Sequence, residues 1–155
     1  MATNANNAMM IITQITEHDL ERLFEIEQSA HLVPWSMGIL KNTQGENYLN
    51  LKLTYHDQII AFTICQHILD EATLLNIAVA PSFQGKGFGK QLLNHLLQQL
   101  TEKGISTLWL EVRESNIAAQ KLYEQLGFNE VDRRKNYYPT PHGQRENAIV
   151  MARYL

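Results

Sequence analysis

A glycine-rich stretch near the middle of the chain has the composition of an anion-binding loop. Gly85, Gly87 and Gly89 alternate with Lys86 and Phe88, just before a long segment whose leucines have helical spacing. Glycine in a helix costs about 1 kcal/mol relative to alanine, so three of them at a helix start indicate close approach of a ligand to the backbone. The free N–H groups and the dipole of a helix N-terminus favour a phosphate. The spacing is neither a Walker loop nor a dinucleotide-binding motif, and a flexible turn with solvated lysines is the alternative.

Two other residues carry side chains suited to proton transfer. Glu111 interrupts the apolar segment 107–112, where a carboxylate is either exposed at the rim of a sheet or functional. Tyr123 lies in a helical segment that begins at Asn116. The ordinary role of such a tyrosine is packing within the core, and the ordinary role of the asparagine is to cap the helix. The six histidines and the single cysteine have no metal-ligand spacing, so no metal is expected. Cys65 lies in an apolar run and is interpreted as a buried, inert thiol.

Hydrophobic periodicity predicts the elements that position these residues. Strands are predicted over 9–15, 47–56, 59–69, 70–80, 106–112, 128–139 and 146–155. Helices are predicted after a capping box at 16–19, over 36–42, from the glycine loop to Gly104, and from Asn116 to Gly127. The fold class is therefore α/β (α+β), with a single mixed central sheet of about seven strands flanked by about four helices. Its middle is a β-α-β unit, whose two strands should be parallel and joined by a right-handed crossover.

Size and charge narrow the function classes. The chain has 155 residues and a formal net charge of −3, with a sequence pI near 6.0. One domain over residues 9–155 is expected, preceded by a disordered tail over residues 1–8. The negative balance argues against direct nucleic-acid binding, and no apolar run reaches the roughly 18 residues of a membrane span. A cytoplasmic monomer is the expectation.

The loop and its surroundings together resemble the GNAT family of acetyl-CoA-dependent N-acetyltransferases. Gln84 to Gly89 matches the family's pyrophosphate motif, Gln/Arg-x-x-Gly-x-Gly/Ala, and the resemblance extends from Ile11 to Met151. Within the family the chain is most similar to the bacterial enzymes that acetylate the N-terminal alanine of a small-subunit ribosomal protein. The segments that carry this closer match are 31–36, 43–50, 69–79, 107–116, 122–130 and 133–140.

The resemblance implies acetyl-CoA as the cosubstrate and a GNAT fold. The pantetheine arm would lie between two splayed parallel strands, with the Val79 N–H directed at the thioester carbonyl. The residues implied in cofactor binding are Ile77, Ala78, Val79, Gln84, Gly85, Lys86, Gly87, Phe88, Gly89, Lys90 and Asn116.

The family also implies roles for the two proton-transfer candidates. Glu111 would be the general base that takes the amine proton, through a water molecule. Tyr123 would protonate the CoA thiolate; a free thiol has an ordinary pKa near 8.5 and a phenol one near 10, so only modest tuning would be needed. The acetyl group would pass directly to the amine in a ternary complex, since no nucleophile is placed to carry it.

The acceptor cleft is expected between Pro34 and Trp35 on one side and Tyr137 and Tyr138 on the other, although loop packing explains these residues equally well. The implied acceptor is the N-terminal peptide of a small-subunit ribosomal protein. At pH 7.5 roughly a third of α-amines are neutral, whereas only about one lysine side chain in a thousand is neutral. Deprotonation of an α-amine therefore requires less assistance from a general base than deprotonation of a lysine. A lysine or small-molecule amine as acceptor, and a non-catalytic CoA-sensing module, remain as alternatives.

Overall fold

The computed structural model describes residues 9–155, so the tail expected over residues 1–8 lies outside the described part of the chain. The seven strands are β1 (Met10–Gln14), β2 (Leu51–Tyr55), β3 (Gln58–Ile68), β4 (Glu71–Val79), β5 (Thr107–Arg113), β6 (Asn129–Pro139) and β7 (Arg145–Tyr154). The helices are α1 (Leu20–Ala30), α2 (Met37–Asn42), α3 (Phe88–Glu102) and α4 (Ile117–Gln125), with short 3₁₀ turns before α1 and α3. The predicted fold class, one mixed sheet flanked by four helices, is confirmed.

Sequence signals at the helix ends form the expected contacts. The Thr16 and Asp19 side chains make the capping box ahead of α1. The Asn116 side chain accepts a hydrogen bond from the Ala119 N–H at the start of α4 (3.1 Å). Beyond the last turns, Gly104 and Gly127 have φ of 81° and 91°, the left-handed conformation in which glycine ends a helix without strain.

All seven strands form one sheet in the order β1-β2-β3-β4-β5-β7-β6. The pair β4–β5 is parallel and the other neighbours are antiparallel. The meander of β2, β3 and β4 and the parallel β4-α3-β5 unit are therefore as predicted; the handedness of the crossover stays a prediction. In residues 9–155, no helix is both long enough and apolar enough to cross a membrane.

The sheet separates two apolar layers. Leucines of α3 and the buried face of α4 pack on one side, against β2, β3 and β5. Leu20, Leu23 and Ile26 of α1, with Leu40 of α2, pack on the other side against Phe62 and its neighbours.

A bulge in β4 changes which face its side chains meet. Ile64 pairs with Asn76 and Cys65 pairs with Leu74, so Leu75 is an extra residue in β4. One extra residue reverses the alternation of a strand. Ala72 and Leu74 accordingly pack on the α3 side, whereas Ala78 packs on the α1 side.

Just after this bulge the two parallel strands separate. Their pairing ends at Leu74 and Leu110, although β4 continues to Val79 and β5 to Arg113. The sheet therefore opens into a V-shaped gap between the C-terminal halves of β4 and β5.

Candidate active site

The gap between β4 and β5 leads into a cavity of about 730 Å³. It extends from the glycine loop, between the splayed strands, to the segment between α1 and α2. Of the residues predicted from the sequence, the cavity brings together Pro34, Trp35, Ile77, Ala78, Val79, Gln84, Gly89, Glu111, Asn116, Tyr123 and Tyr138. Its lining does not include Gly85, Lys86, Gly87, Phe88, Lys90 or Tyr137.

The glycine loop presents bare backbone at the start of α3. Gly85 and Gly87 have φ of 74° and 87°, and a Cβ at either position would meet nothing within 4 Å. A Cβ on Gly89 would lie 3.5 Å from Val79 Cγ2, which is an ordinary van der Waals contact, so the packing of α3 on β4 does not itself require a glycine here. Gln84 Nε2 donates to the Val79 carbonyl (2.8 Å) and ties the loop to the end of the strand.

The side chains of this loop divide between solvent and core. Phe88 is buried beside Tyr55 and Phe83, so any contact of Phe88 with a cofactor must come from its backbone N–H. Lys86 is exposed, with its Nζ 5.7 Å from the centroid of the Phe83 ring. Lys90 is exposed as well, so both lysines contribute positive charge at the surface near the loop.

The backbone of β4 directs a donor into the gap. The Ala80 N–H donates to the Ile60 carbonyl at the end of the β3–β4 ladder (2.8 Å). Because successive residues of a strand point their N–H groups to opposite sides, the Val79 N–H is directed toward β5. The β4–β5 pairing has ended by that point, so the gap contains this donor.

Glu111 lies on the C-terminal half of β5 and lines the cavity, with 28% of its side chain exposed. Its Oε2 lies 2.9 Å from Arg134 Nη1 on β6. The same guanidinium is stacked on Tyr137, 4.9 Å from the ring centroid. The carboxylate is therefore ion-paired at the cavity wall rather than free at a solvated sheet rim.

Tyr123 is buried at the inner wall of the cavity, against Phe128. Burial, and secondarily the neighbouring Tyr138, raises the pKa of Tyr123 well above that of a free phenol. The hydroxyl thus keeps its proton at neutral pH and is available as a donor. The raised pKa also makes transfer of that proton to a thiolate less favourable than the ordinary pKa values suggest.

The far end of the cavity has an aromatic and apolar rim. Tyr137 and Tyr138 contact each other edge to face, with ring centroids 5.0 Å apart, and Arg113 stacks on Tyr138 at 4.7 Å. The segment after α1 lines the same cavity and exposes Leu32 and Val33. Tyr137 is 40% exposed and adjoins the cavity through these stacked neighbours.

Among the charged and polar side chains that line the cavity, four were not predicted from the sequence: Glu27, His31, Asn76 and Arg113. The available signal was the position of Glu27, seven residues after Leu20 and four after Leu23, on the apolar stripe of α1. A carboxylate at such a position has to find partners in the core.

The histidine, cysteine and acidic side chains of the described residues form no metal site, and the one thiol among them is buried. Within residues 9–155, no group of histidine, cysteine and acidic side chains could hold a metal ion. Cys65 is fully buried, and burial raises the pKa of its thiol to about 12. A thiol that stays protonated is a poor nucleophile.

Comparison with known proteins identifies the family. The model of the acetyltransferase (GNAT) family matches residues 12–128. The chain belongs to the GNAT family. A ribosomal protein bS18-alanine N-acetyltransferase from Haemophilus influenzae is 69% identical over 147 residues, covering 95% of this chain and 100% of that protein.

Solved GNAT structures share the fold over nearly the whole chain. The crystal structure of the ribosomal-protein-S18-alanine N-acetyltransferase from Escherichia coli matches with a TM-score of 0.91 and 52% identity, covering 94% of each chain. Arabidopsis thaliana NAA60 in complex with acetyl-CoA matches with a TM-score of 0.83, covering 94% of this chain and 98% of that one. At 17% identity, the latter shows a common fold only.

Proposed function

We propose that this GNAT protein transfers the acetyl group of acetyl-CoA to the N-terminal alanine of ribosomal protein bS18. The observation that carries the proposal is one cavity that extends from Gln84 and Gly89, the two ends of the glycine loop, to Glu111 and Tyr123. The chain that contains it is 69% identical to a bS18-alanine N-acetyltransferase over almost its full length. The proposed catalytic domain is residues 9–155, acting as a monomer in the cytoplasm.

The residues of the cavity fit acetyl-CoA. The open V between β4 and β5 leaves backbone groups of Ile77 to Val79 without strand partners on that side, as an extended pantetheine arm requires. The positive-φ glycines leave room and bare N–H groups for a diphosphate at the N-terminus of α3. When bound, acetyl-CoA supplies an activated acetyl thioester. Residues 84–90 would hold its diphosphate, and Asn116 would adjoin the arm while capping α4.

Glu111 and Tyr123 are assigned the two proton positions. Glu111 would accept the proton of the acceptor amine, directly or through water, from its place on the cavity wall. The Tyr123 hydroxyl, which is protonated at neutral pH and whose pKa is raised further by burial, would donate to the sulfur. The Val79 N–H, directed into the gap, would stabilise negative charge on the acetyl oxygen. With Cys65 buried, no side chain in this scheme carries the acetyl group.

The acceptor peptide would enter past Pro34 and Trp35 on one side and Tyr137 and Tyr138 on the other. The exposed apolar side chains on this rim suit contact with an extended peptide segment. The cavity residues specify the acetyl donor, acetyl-CoA, more closely than they specify the amine that accepts the acetyl group.

The decisive experiment is mass spectrometry of two peptides incubated with acetyl-CoA and the protein. One peptide has the bS18 N-terminal sequence with a free alanine; the other is the same peptide with a blocked N-terminus and its lysines intact. We expect a single added acetyl group on the α-amine of the first and none on the second. Modification of lysine in the blocked peptide would favour a side-chain acceptor, and binding of CoA without any product would favour a sensing module.

A further inference from the structure

Helix α1 carries a carboxylate that the reaction scheme does not use. Glu27 is 1% exposed and lies on the buried stripe of the helix. Removing a carboxylate from water costs several kcal/mol unless hydrogen-bond donors surround it. The hydrogen-bond donors around the Glu27 carboxylate therefore indicate its role in the fold.

The Glu27 carboxylate joins three separate segments. Its Oε2 accepts a hydrogen bond from the Trp35 N–H (2.8 Å), and its Oε1 accepts one from Asn76 Nδ2 (2.8 Å). His31 Nε2 lies 3.5 Å from Glu27 Oε1 and 2.9 Å from Asn76 Oδ1. One buried group thus links α1, the segment 31–36 and strand β4.

The two linked segments belong to different parts of the cavity. Trp35 belongs to the segment 31–36, which forms one rim of the acceptor cleft, whereas Asn76 directly follows the β4 bulge. Asn76 is also three residues before Val79, whose N–H points into the gap. The bonds of Glu27 therefore connect the acceptor rim to the strand that carries this donor.

We propose that Glu27 is a positioning residue of the acceptor site, holding the segment 31–36 against β4 through Trp35 and Asn76. The proposal builds on the acceptor cleft assigned above. Because its carboxylate is buried and occupied by protein N–H groups, Glu27 acts through the rim and does not touch the acceptor. Its loss should weaken acceptor binding while the acetyl-CoA half of the cavity, built by the glycine loop and the β4–β5 gap, keeps its affinity.

Glu27→Gln tests this with minimal change of shape. The new amide has one oxygen for two N–H donors, so with Asn76 in its native orientation either Trp35 or Asn76 loses its acceptor, and in any orientation the charged acceptor is lost. We expect the KM for the alanine peptide to rise about tenfold, as the loss of a charge-assisted hydrogen bond would produce. The KM for acetyl-CoA should stay within about twofold. Glu25→Gln, on an exposed side chain two residues earlier in α1, is the matched control and should change neither constant.

A double variant in which the carboxylate and the amide exchange positions, called here the transposed pair, distinguishes a positioning role of Glu27 from a general structural defect. In the double variant Glu27→Gln with Asn76→Asp, amide and carboxylate exchange places across the same bond. The introduced amide on α1 can then donate to the introduced carboxylate on β4 and accept from the Trp35 N–H, and His31 retains an oxygen partner at position 76. We expect the peptide KM to return to within about threefold of the wild-type value. A double variant that is folded yet no better than Glu27→Gln would overturn the proposal.

Fluorescence provides a readout that does not require turnover. With Trp109→Phe as background, Trp35 is the single tryptophan. Acrylamide quenching of Trp35 should increase in Glu27→Gln and return in the transposed pair. Unchanged quenching with an unchanged peptide KM would overturn the proposal. If Glu27→Gln alone does not fold, the proposal requires that the transposed pair fold and have a peptide KM close to that of the wild type. Quenching is independent of the acceptor's identity, so a wrong acceptor and a wrong role for Glu27 give different results.

Discussion

At the scale of single residues, Glu111 combines an ion pair with a place on the cavity wall. Its proposed role as general base predicts that Glu111→Gln lowers kcat by about 10²- to 10⁴-fold at neutral pH, with partial recovery at high pH as the acceptor amine deprotonates in solution. Steady-state assays of peptide acetylation across pH would measure this. Glu114→Gln is the control, since Glu114 is paired with Arg133 and does not line the cavity. Equal losses in the two variants would contradict the assignment.

Arg134 binds the Glu111 carboxylate, which the amino group of an acceptor peptide also has to approach. Its guanidinium is half-exposed and contacts Glu111 at 2.9 Å, so an acceptor amine has to displace it. We expect Arg134→Gln to lower the peptide KM by about two- to fivefold, the value of an exposed ion pair, with kcat nearly unchanged. Arg133→Gln is a close control, because Arg133 is equally exposed but pairs with Glu114 and Glu130. A higher KM in Arg134→Gln would instead mean that Arg134 helps to bind the peptide.

The sequence indicates some of these residues better than others. Glu111 stands out because a carboxylate in an apolar strand is unusual, and the family motif adds Tyr123 and Asn116. Arg134 gives no such signal, since a charged residue on an exposed edge strand is ordinary. Its partner depends on the register of β6, which is irregular between Arg134 and Tyr138. Assignment of Arg134 to Glu111 therefore requires the folded chain.

At the scale of elements, the two ends of α3 offer a comparison of glycines in the same conformation. Gly87 at its start and Gly104 beyond its end have φ of 87° and 81°, and a Cβ at either site meets nothing within 4 Å. Alanine at either position should cost about 1–2 kcal/mol of left-handed strain, lowering Tm by about 2–8 °C. Only Gly87→Ala should also weaken CoA binding, by about tenfold or more, because its methyl group would occupy the proposed diphosphate site. Calorimetric titration with CoA and thermal melts of both variants would measure this, and equal CoA affinities would contradict a diphosphate at this loop.

The strands show why a correct prediction of secondary structure does not by itself locate the active site. Periodicity predicts all seven strands and the parallel arrangement of β4 and β5. It does not reveal the extra residue Leu75, because Leu74 before it and the apolar run 77–79 after it show no alternation that would expose a change of face. That bulge reverses the facing of Asn76 and precedes the separation of β4 from β5. The gap that defines the cavity is therefore a consequence of register, which a single sequence does not contain.

At the scale of the whole molecule, the sheet carries helices on both faces, and the cavity lies where the sheet opens between them. Residues from α1, the segment 31–36, β4, β5, α4 and the end of β6 all line it. These elements span most of the chain, so the site exists only in the complete fold. The stability of that fold therefore bears directly on activity, and buried ionisable groups set how stability depends on pH.

Cys65 is expected to make the fold less stable in alkaline solution. Burial raises the pKa of its thiol to about 12, from an ordinary value of 8.5 to 9.0, so in the pH range between them the unfolded chain loses a proton that the native chain keeps. Stability linked to this group is complete below pH 9 and is lost as pH rises toward 12, at up to about 1.4 kcal/mol per pH unit. The raised pKa values of Tyr123 and Tyr138 act in the same direction above pH 10.

Urea unfolding of the wild type and Cys65→Ala at pH 7.5, 8.5, 9.5 and 10.5, with reductant present, isolates the contribution of the thiol. The alanine variant should be less stable at pH 7.5 because a buried side chain is truncated, but this loss does not depend on pH. Its free energy of unfolding should then fall less steeply, so that the two curves converge by about 1–2 kcal/mol between pH 8.5 and 10.5. Tyrosine and lysine ionisation is common to both proteins and cancels in the difference. Parallel curves would mean that Cys65 is not protected from ionisation in the native protein, and that an acetylated thiol would have to be sought by mass spectrometry before direct transfer is accepted.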